Sequence, residues 1–600
     1  MDRRTTLALL LCLLVFAGFT ALQMRFAPKP VHKTPPTTTA PAPGVTSPPA
    51  ESATTAPAAP APTASASGVS LVPATPAVPE REYVIETPLY RATFSNLGAR
   101  LKNVELKHYA AAWGKSRYAD NPGLRPKRGE VVPEGDRVKL GDATALALNL
   151  GTNMGLRSLA NFPFAVVEST DASGAVAALQ FVGRDSAGLE VRQTWRVRPD
   201  SYLFDVDIAV TGAPAGTTDW LLTTRSAPGL NEANLEQDAR SMRSIGMVAK
   251  NLHRDGAQGL IGKNDKVREG ATRWAGVQSH YFLGLVTPIG ADGHATISRG
   301  QTYTPTPEEV ARLPKGTKHA MPIAEATLAM LAPASGTQRF AVYFGPADYF
   351  SLAKLSGAGK LGSLQLEKAV DLGMNWMLPF SYPLLQLLRL LDSWVRNFGL
   401  AIFLLATVVR VVLHPLNMSS MKSMRAMQKL QPEMERLKEK YKNKPEAMNA
   451  AIMALYKENK VNPAGGCLPM LLQMPLFFAL YAVLFNAIDL RQAPFVAWIH
   501  DLSAPDHVGT IAGLPIRVLP LIMTATGFLQ QKLTPTPPQQ AMTMYLMNLF
   551  MLFIFYGLPS GLVFYWTVMN LYTALQQWMA MRGEDGVVVP AAAGSARGKH

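Results

Sequence analysis

The sequence predicts a multi-domain membrane protein in which an α-helical transmembrane bundle follows a large all-β domain. Three observations carry that reading. Six apolar runs approach the length that crosses a bilayer, one at the N-terminus and five after residue 397. Between residues 82 and 366 apolar side chains instead recur at every second position, as in half-buried strands. The chain has 600 residues, too many for one simple domain, and is 48% hydrophobic but only 17% charged. A net charge of +15 would suit nucleic acid, yet the densest basic cluster lies between apolar runs, where the positive-inside rule puts it. Nucleic acid is therefore not an expected substrate. Cys12 and Cys467 both lie in apolar runs, which points to neither a disulfide framework nor a thiolate metal site, and no cofactor is expected.

Residues 1–26 read as an N-terminal transmembrane anchor. Arg3 and Arg4 precede the apolar run 7–22, a pattern shared by cleaved signal peptides and retained anchors. The poor small-x-small site at Phe19-Thr20-Ala21, and Leu11 rather than a small residue before Cys12, favour an anchor that starts in the cytoplasm. Residues 27–80, rich in Pro, Ala, Thr and Ser, cannot bury a core and read as a disordered linker. Its reach is on the order of 40 Å.

Residues 81–370 are expected to form an extracytoplasmic β-sandwich. Leu189, Val191, Trp195 and Val197 alternate with polar residues, as do Tyr202, Phe204, Val206, Ile208 and Val210, and Pro199-Asp200 between them marks a hairpin. The runs 101–106, 277–286 and 340–344 read as further strands. Residues 371–397 lead to the bundle. Within 383–397, Leu384, Leu387, Leu388, Leu391, Trp394 and Val395 share one face, and Gln386, Arg389, Ser393 and Arg396 the opposite one. That is either an amphipathic helix in the membrane surface or an ordinary packed helix.

The core, 398–583, opens with the run that organises the rest, 398–416. Arg410 stands well inside it, where an arginine costs roughly 2.5–3.5 kcal/mol on insertion scales. Such a residue faces a protein interior or a wet cavity. Thr407 and His414, three before and four after, share its helical face. The alternatives are snorkelling or a buried carboxylate partner, but the later apolar runs contain no Asp or Glu. Residues 417–463 read as a basic cytoplasmic helical hairpin, broken at Asn443-Lys444-Pro445. Met418, Met421, Met424, Met427, Leu430, Met434, Leu437 and Tyr441 recur in it every three or four residues. The stripe is either the hairpin's own seam or a tolerant surface for varied apolar partners, with Met421, Met424, Met427 and Met434 as its contacts.

Spans at 467–488, 514–531, 542–558 and 561–581 follow. The loop 489–513 has Arg491 as its one Lys or Arg and reads as external, which leaves the lysine-rich hairpin and both termini in the cytoplasm. The tail, 584–600, is a weak electrostatic handle for a ribosome. With the second span running inward, Arg410 sits roughly 9 Å from the cytoplasmic edge, within reach of water from that side. Gln473, Thr524, Gln530 and Asn548 add polar groups to other spans. Trp566, Asn570, Thr573 and Gln577, spaced four, three and four apart, share a face of the last. Each alone reads as interhelical glue; together with Arg410 they favour a hydrated pocket. No GxxxxGK[ST], HExxH or GxSxG motif occurs, and His500-Asp501 with Ser503 is only superficially triad-like, so the protein is not expected to be an enzyme.

From residue 380 to about 583 the chain resembles the YidC-type membrane protein insertases. The matching stretches are the Arg410 run, Lys457-x-x-Lys460-Val461-Asn462-Pro463-x-Gly465-Gly466-Cys467, and Gln473-Met474-Pro475. Leu490-Arg491-Gln492-Ala493-Pro494-Phe495, Trp498-Ile499-His500-Asp501-Leu502-Ser503 and Pro559-Ser560-Gly561-Leu562 complete them. The anchor, linker and external domain look like the Gram-negative form. The resemblance implies five core spans around a hydrophilic groove, open to cytoplasm and lipid and closed outside, in the bacterial inner membrane. It implies a periplasmic β supersandwich, sugar-enzyme-like but without evident catalytic residues. Arg410 would attract acidic residues in substrate tails, and Tyr565 and Trp566 would face the substrate. The hydroxyl that family members often place four residues before the arginine falls here on Ala406, with Thr407 one later. Arg410, Thr407, Gln473, Tyr565, Trp566 and Asn570 are thus the candidate groove residues, and the hairpin matches a mobile element that receives substrates.

The expected function is insertion of nascent membrane proteins from the cytoplasm into the phospholipid bilayer, alone or with the Sec translocon. Rival readings are an anion transporter or channel built on Arg410, which would more naturally show internal repeats, an envelope enzyme with a sugar-binding β-domain, and a chaperone that holds helices without inserting them.

Overall fold

The computed structural model describes residues 79–112, 129–141, 146–153, 155–172, 174–226, 231–232, 234–312, 320–357, 364–442, 444–461, 468–511, 514–533 and 538–582. The expected anchor, nearly all of the linker and the tail lie outside these residues, as do the side chains of Met421, Met424 and Gln473. The chain falls into two units. One takes in the described residues of Glu80–Pro432 and from Tyr456 onward; the described part of the other is Pro79 and, within Glu433–Leu455, all but residue 443.

In the first unit, strands Glu82–Glu86, Tyr90–Ser95, Arg100–Ala110 and Arg137–Leu140 form an antiparallel sheet in chain order. A fourteen-stranded antiparallel sheet takes the remaining strands up to Pro346. The expected hairpin is there: Glu190–Val197 pairs with Leu203–Thr211, with Val206 opposite Trp195. Val191, Trp195, Phe204, Val206 and Ile208 are buried, because alternate side chains of a strand share a face. Phe94 and Leu101 of the small sheet share a core with Trp195 and Phe204 of the large one, and the Phe94 and Trp195 rings meet edge-on at 5.1 Å.

The run 277–286 is not a single strand. Lys266–Gln278 and Phe282–Ile289 pair across a turn in which the Ser279 N–H donates to Phe282 O at 2.9 Å. Polar Ser279 and His280 interrupt the apolar pattern there. The turn reaches the helical region: His280 Nε2 lies 3.1 Å, and the Tyr281 hydroxyl 3.4 Å, from Phe485 O.

The helices begin with α1 (Leu378–Val395), which buries Leu384, Leu385, Leu388 and Leu391 and leaves Trp394 72% exposed. Its start precedes residue 383 because Pro379, lacking an N–H, suits a first helical turn. Arg396 ends it with a left-handed φ of 52°, and the Asn397 side chain caps α2 (Phe398–Val412) by accepting the Leu400 N–H at 3.0 Å. Near that corner, Gly399 lets the Phe495 ring lie against the backbone; a Cβ there would stand 2.0 Å from Phe495 Cδ2.

The helix α2 stops short of the expected 398–416. Pro415 has no N–H for Val411 O and fits the first turn of a new helix, α3 (His414–Lys429). At 1.5 Å per residue α2 is about 22 Å long, against about 30 Å of bilayer hydrocarbon. After α3 come α4 (Gln431–Lys440) and α5 (Pro445–Glu458), then α6 (Leu468–Asn486), α7 (Val518–Leu533), α8 (Pro538–Phe555) and α9 (Ser560–Arg582). The expected span 514–531 also divides. Leu514–Ile516 pairs with Gly509–Ile511 as a short ribbon, and Asp506 starts α7 by accepting the N–H groups of Val518 and Leu519, both at 2.8 Å. Among the described residues no helix is long and apolar enough to cross a membrane, so the helices by themselves do not yield the six spans expected.

One continuous core joins strands to helices: Trp274, Leu285 and Tyr343 pack in the same cluster as Leu388, Ile402, Leu405, Leu484 and Leu562. An arginine reinforces the junction. Arg389 of α1 donates through Nε to Asp489 at 2.8 Å and through Nη2 to Asp348 at 2.5 Å, and lies 4.5 Å from the Phe350 ring centroid.

Candidate functional site

The buried stripe of α2 ends on a charge. Phe398, Ala401, Ile402, Leu405, Ala406 and Val409 recur at helical spacing, and Arg410 closes the series at 7% exposure. Its Nη2 donates to Oε1 of Gln576 on α9. The Gln576 Nε2 lies 3.0 Å from His414 Nδ1. An amide nitrogen can only donate, so Nδ1 carries the lone pair and the ring's proton is on Nε2. Because His414 is exposed, a polar path leads from the buried guanidinium to the surface at the start of α3.

One turn back, the Thr407 hydroxyl lies 2.9 Å from Phe403 O and 2.6 Å from the Tyr572 hydroxyl. A carbonyl only accepts, so Thr407 gives its proton to Phe403 and takes one from Tyr572. Arg410 Nε has no hydrogen-bond partner among the described residues, and none of their carboxylates is seen paired with the guanidinium. The cation is thus desolvated and ligated by a neutral amide, which satisfies one donor without cancelling the charge.

Tyr565, 3% exposed, stands on the same stripe of α9 as Tyr572 and Gln576, seven and eleven residues on. Trp566 is half-buried and turned elsewhere: its ring is 5.1 Å from Phe477 of α6 and 5.6 Å from Phe555 of α8. Asn570 donates to Met523 O at 3.2 Å and so ties α9 to α7. The structure therefore sets Arg410 and Thr407 against the stripe of α9 that carries Tyr565 and places Trp566 and Asn570 on other contacts. Gln473 belongs to α6, and its side chain is not described. Met427 of α3 and Met434 of α4 are half-buried.

Tyr572 and Gln576 are the residues that sequence reasoning missed. The available signal was the Tyr565-Tyr572-Gln576 stripe. The polar set Trp566, Asn570, Thr573 and Gln577, one residue further along, faces about 100° away on the same helix. The triad-like loop resolves into structure: Asp501 Oδ1 accepts from Gln492 N at 3.0 Å, Ser503 N at 2.9 Å and Ser503 Oγ at 2.7 Å. The serine hydroxyl already serves that carboxylate and shapes the turn.

The family model described as 60Kd inner membrane protein matches residues 390–586, and that of the YidC periplasmic domain matches residues 148–387. The membrane protein insertase YidC of Geobacter metallireducens is 34% identical over 594 residues, 96% of this chain and 98% of its own. That of Pelobacter propionicus is 33% identical over 596 residues, again 96% and 98%. A solved active YidC insertase with its first transmembrane domain resolved covers 84% of this chain and 93% of its own at 18% identity, with a TM-score of 0.34, too low to carry weight.

Proposed function

The chain belongs to the YidC family of membrane protein insertases, inner-membrane proteins with a periplasmic domain, and we propose that it inserts nascent transmembrane segments through a hydrophilic groove centred on Arg410. In this reading there are six spans, five of them in the core, both termini are cytoplasmic, and the β-rich region is a periplasmic supersandwich. An apolar helix arrives from the cytoplasm and touches the methionine-bearing helices α3 and α4. Its short polar tail enters beside Thr407 and Arg410 while its apolar length slides into lipid. Burial supplies about 0.8 kcal/mol per CH₂, and the membrane potential draws an acidic tail outward at about 2.3 kcal/mol per charge per 100 mV. The groove lowers the barrier and adds no energy. The Sec translocon and the ribosome act as partners, the latter through the short basic tail.

The observation that supports this reading is the ligation of Arg410 by a neutral amide, with no described carboxylate bonded to it. A cation left uncancelled in an apolar bundle attracts an incoming carboxylate. Reconstitution in vesicles tests it. Arg410→Ala is expected to block a small single-span substrate with an acidic tail, and Arg410→Lys to retain activity if charge alone matters. Unchanged insertion by Arg410→Ala would remove the electrostatic capture step.

A further inference from the structure

We propose that Gln576 is an exchangeable ligand of Arg410, displaced by the substrate's carboxylate, and that it sets how strongly acidic tails are preferred over neutral ones. The inference rests on the groove reading above and assigns a specificity role to a residue outside the candidate set.

The geometry orients the amide. Arginine has only donors, so the side-chain oxygen of Gln576 must face the guanidinium. Its nitrogen then points away, to His414 Nδ1 at 3.0 Å. His414 thus holds the glutamine in its accepting orientation, much as a second hydrogen bond fixes a metal ligand. The arrangement continues one turn outward in the Tyr572–Thr407 bond at 2.6 Å and the Phe403–Tyr572 ring contact at 6.2 Å. Arg410 is therefore held before any substrate arrives, by a ligand that is itself held.

The ligand is also a weak one. It accepts from one guanidinium nitrogen, carries no charge, and leaves Nε without a partner among the described residues. A carboxylate accepts through two oxygens and neutralises the cation, so it outcompetes an amide for the same donors. A neutral tail offers no such gain and leaves Gln576 in place. Exchange of one acceptor for another spares Arg410 a bare state in which a buried charge has no ligand.

The experiment uses the full chain in proteoliposomes and two single-span substrates that differ only in tail residues, Asp and Glu against Asn and Gln. The readout is the ratio of acidic-tail to neutral-tail insertion, which a general loss of folding does not shift. Gln576→Glu supplies a permanent internal carboxylate and is expected to lower the ratio about tenfold. Gln576→Met, similar in length but a poor acceptor, removes the competitor and is expected to raise the ratio about threefold. If neither variant moves the ratio while Arg410→Ala abolishes acidic-tail insertion, the glutamine role is overturned and the groove reading stands. If Arg410→Ala also leaves acidic-tail insertion intact, the groove reading itself fails.

Discussion

Arg491 donates its Nε to both carboxylate oxygens of Glu232, at 2.8 and 3.0 Å, across 259 residues of chain. Its Nη2 donates to Ala110 O at 2.8 Å and Asn231 O at 3.2 Å, and its guanidinium lies 5.2 Å from the Phe282 ring centroid. The arginine belongs to the loop after α6; every one of these partners belongs to the β-rich region. With Arg389 bound to Asp348 and Asp489, two guanidinium groups join the same two parts of the first unit. The loop after α6 is therefore fixed by buried polar bonds as well as by the shared apolar core.

Breaking this pair should cost more than an exposed ion pair would. Arg491→Met leaves the buried Glu232 carboxyl without its donor and is expected to lose about 1–3 kcal/mol of stability. Glu232→Gln keeps a carbonyl acceptor and should lose less. The double variant should fall short of the sum by more than about 1 kcal/mol. Denaturant unfolding of the four proteins in detergent measures that coupling, and additive losses would mean the two side chains do not act as a pair.

Acid should weaken the contact between the 279–281 turn and α6. Burial holds His280 down at about 4, below its ordinary value of 6.5. Phe485 O can only accept, so the neutral ring donates from Nε2. A lowered folded value means that the stability is fully present above pH 6.5 and is lost as pH falls through 4. The full effect is roughly 3 kcal/mol by linkage. Glu232 works in the opposite sense, because burial, outweighing Arg491, pushes its carboxyl up to about 8. Subtracting the pH–stability curve of His280→Gln from that of the wild type isolates the histidine; a flat difference between pH 4 and 7 would refute its role.

Asp506 accepts from two successive backbone amides and from the Trp498 indole at 3.1 Å. Asp506→Ala is expected to destabilise the start of α7 by about 1–2 kcal/mol, and Asp506→Asn by less. Faster hydrogen exchange at the amides of Val518 and Leu519, with the last turn of α7 unaffected, is the signature to look for.

Thr407→Val and Tyr572→Phe each remove the same hydroxyl contact and should each cost about 0.5–1.5 kcal/mol. The double variant is expected to be scarcely worse than the poorer single one, since the bond can be lost only once. Thermal unfolding reads this directly.

Much of the fold was legible from periodicity. The alternation from Val191 to Val210 specified a hairpin and its buried face, because a strand's period of two leaves little freedom in which side turns inward. The limits appeared where one residue changes the geometry. Pro415 ended α2 within an otherwise apolar run, and Ser279-His280 turned one expected strand into two. At the site, Arg410 and Thr407 were legible because a charge in an apolar run is conspicuous. Tyr572 and Gln576 were not, because choosing among adjacent faces of α9 needs the position of α2. Trp566, Asn570, Thr573 and Gln577 form an equally regular stripe, and their spacing contains nothing to say which stripe meets the arginine.

The close seat of Phe495 on Gly399 has a mechanical consequence. It pins the N-terminal end of α2 with a rigid ring against bare backbone, while Pro415 interrupts the hydrogen-bond ladder between its C-terminal end and the helix that follows. A rod held at one tip swings about that tip. Arg410 stands about 16 Å along it, so a tilt of about 10° would carry the guanidinium about 3 Å while hardly moving Gly399. Leverage of this kind would move the Arg410 end of α2 and leave the Gly399 end nearly in place.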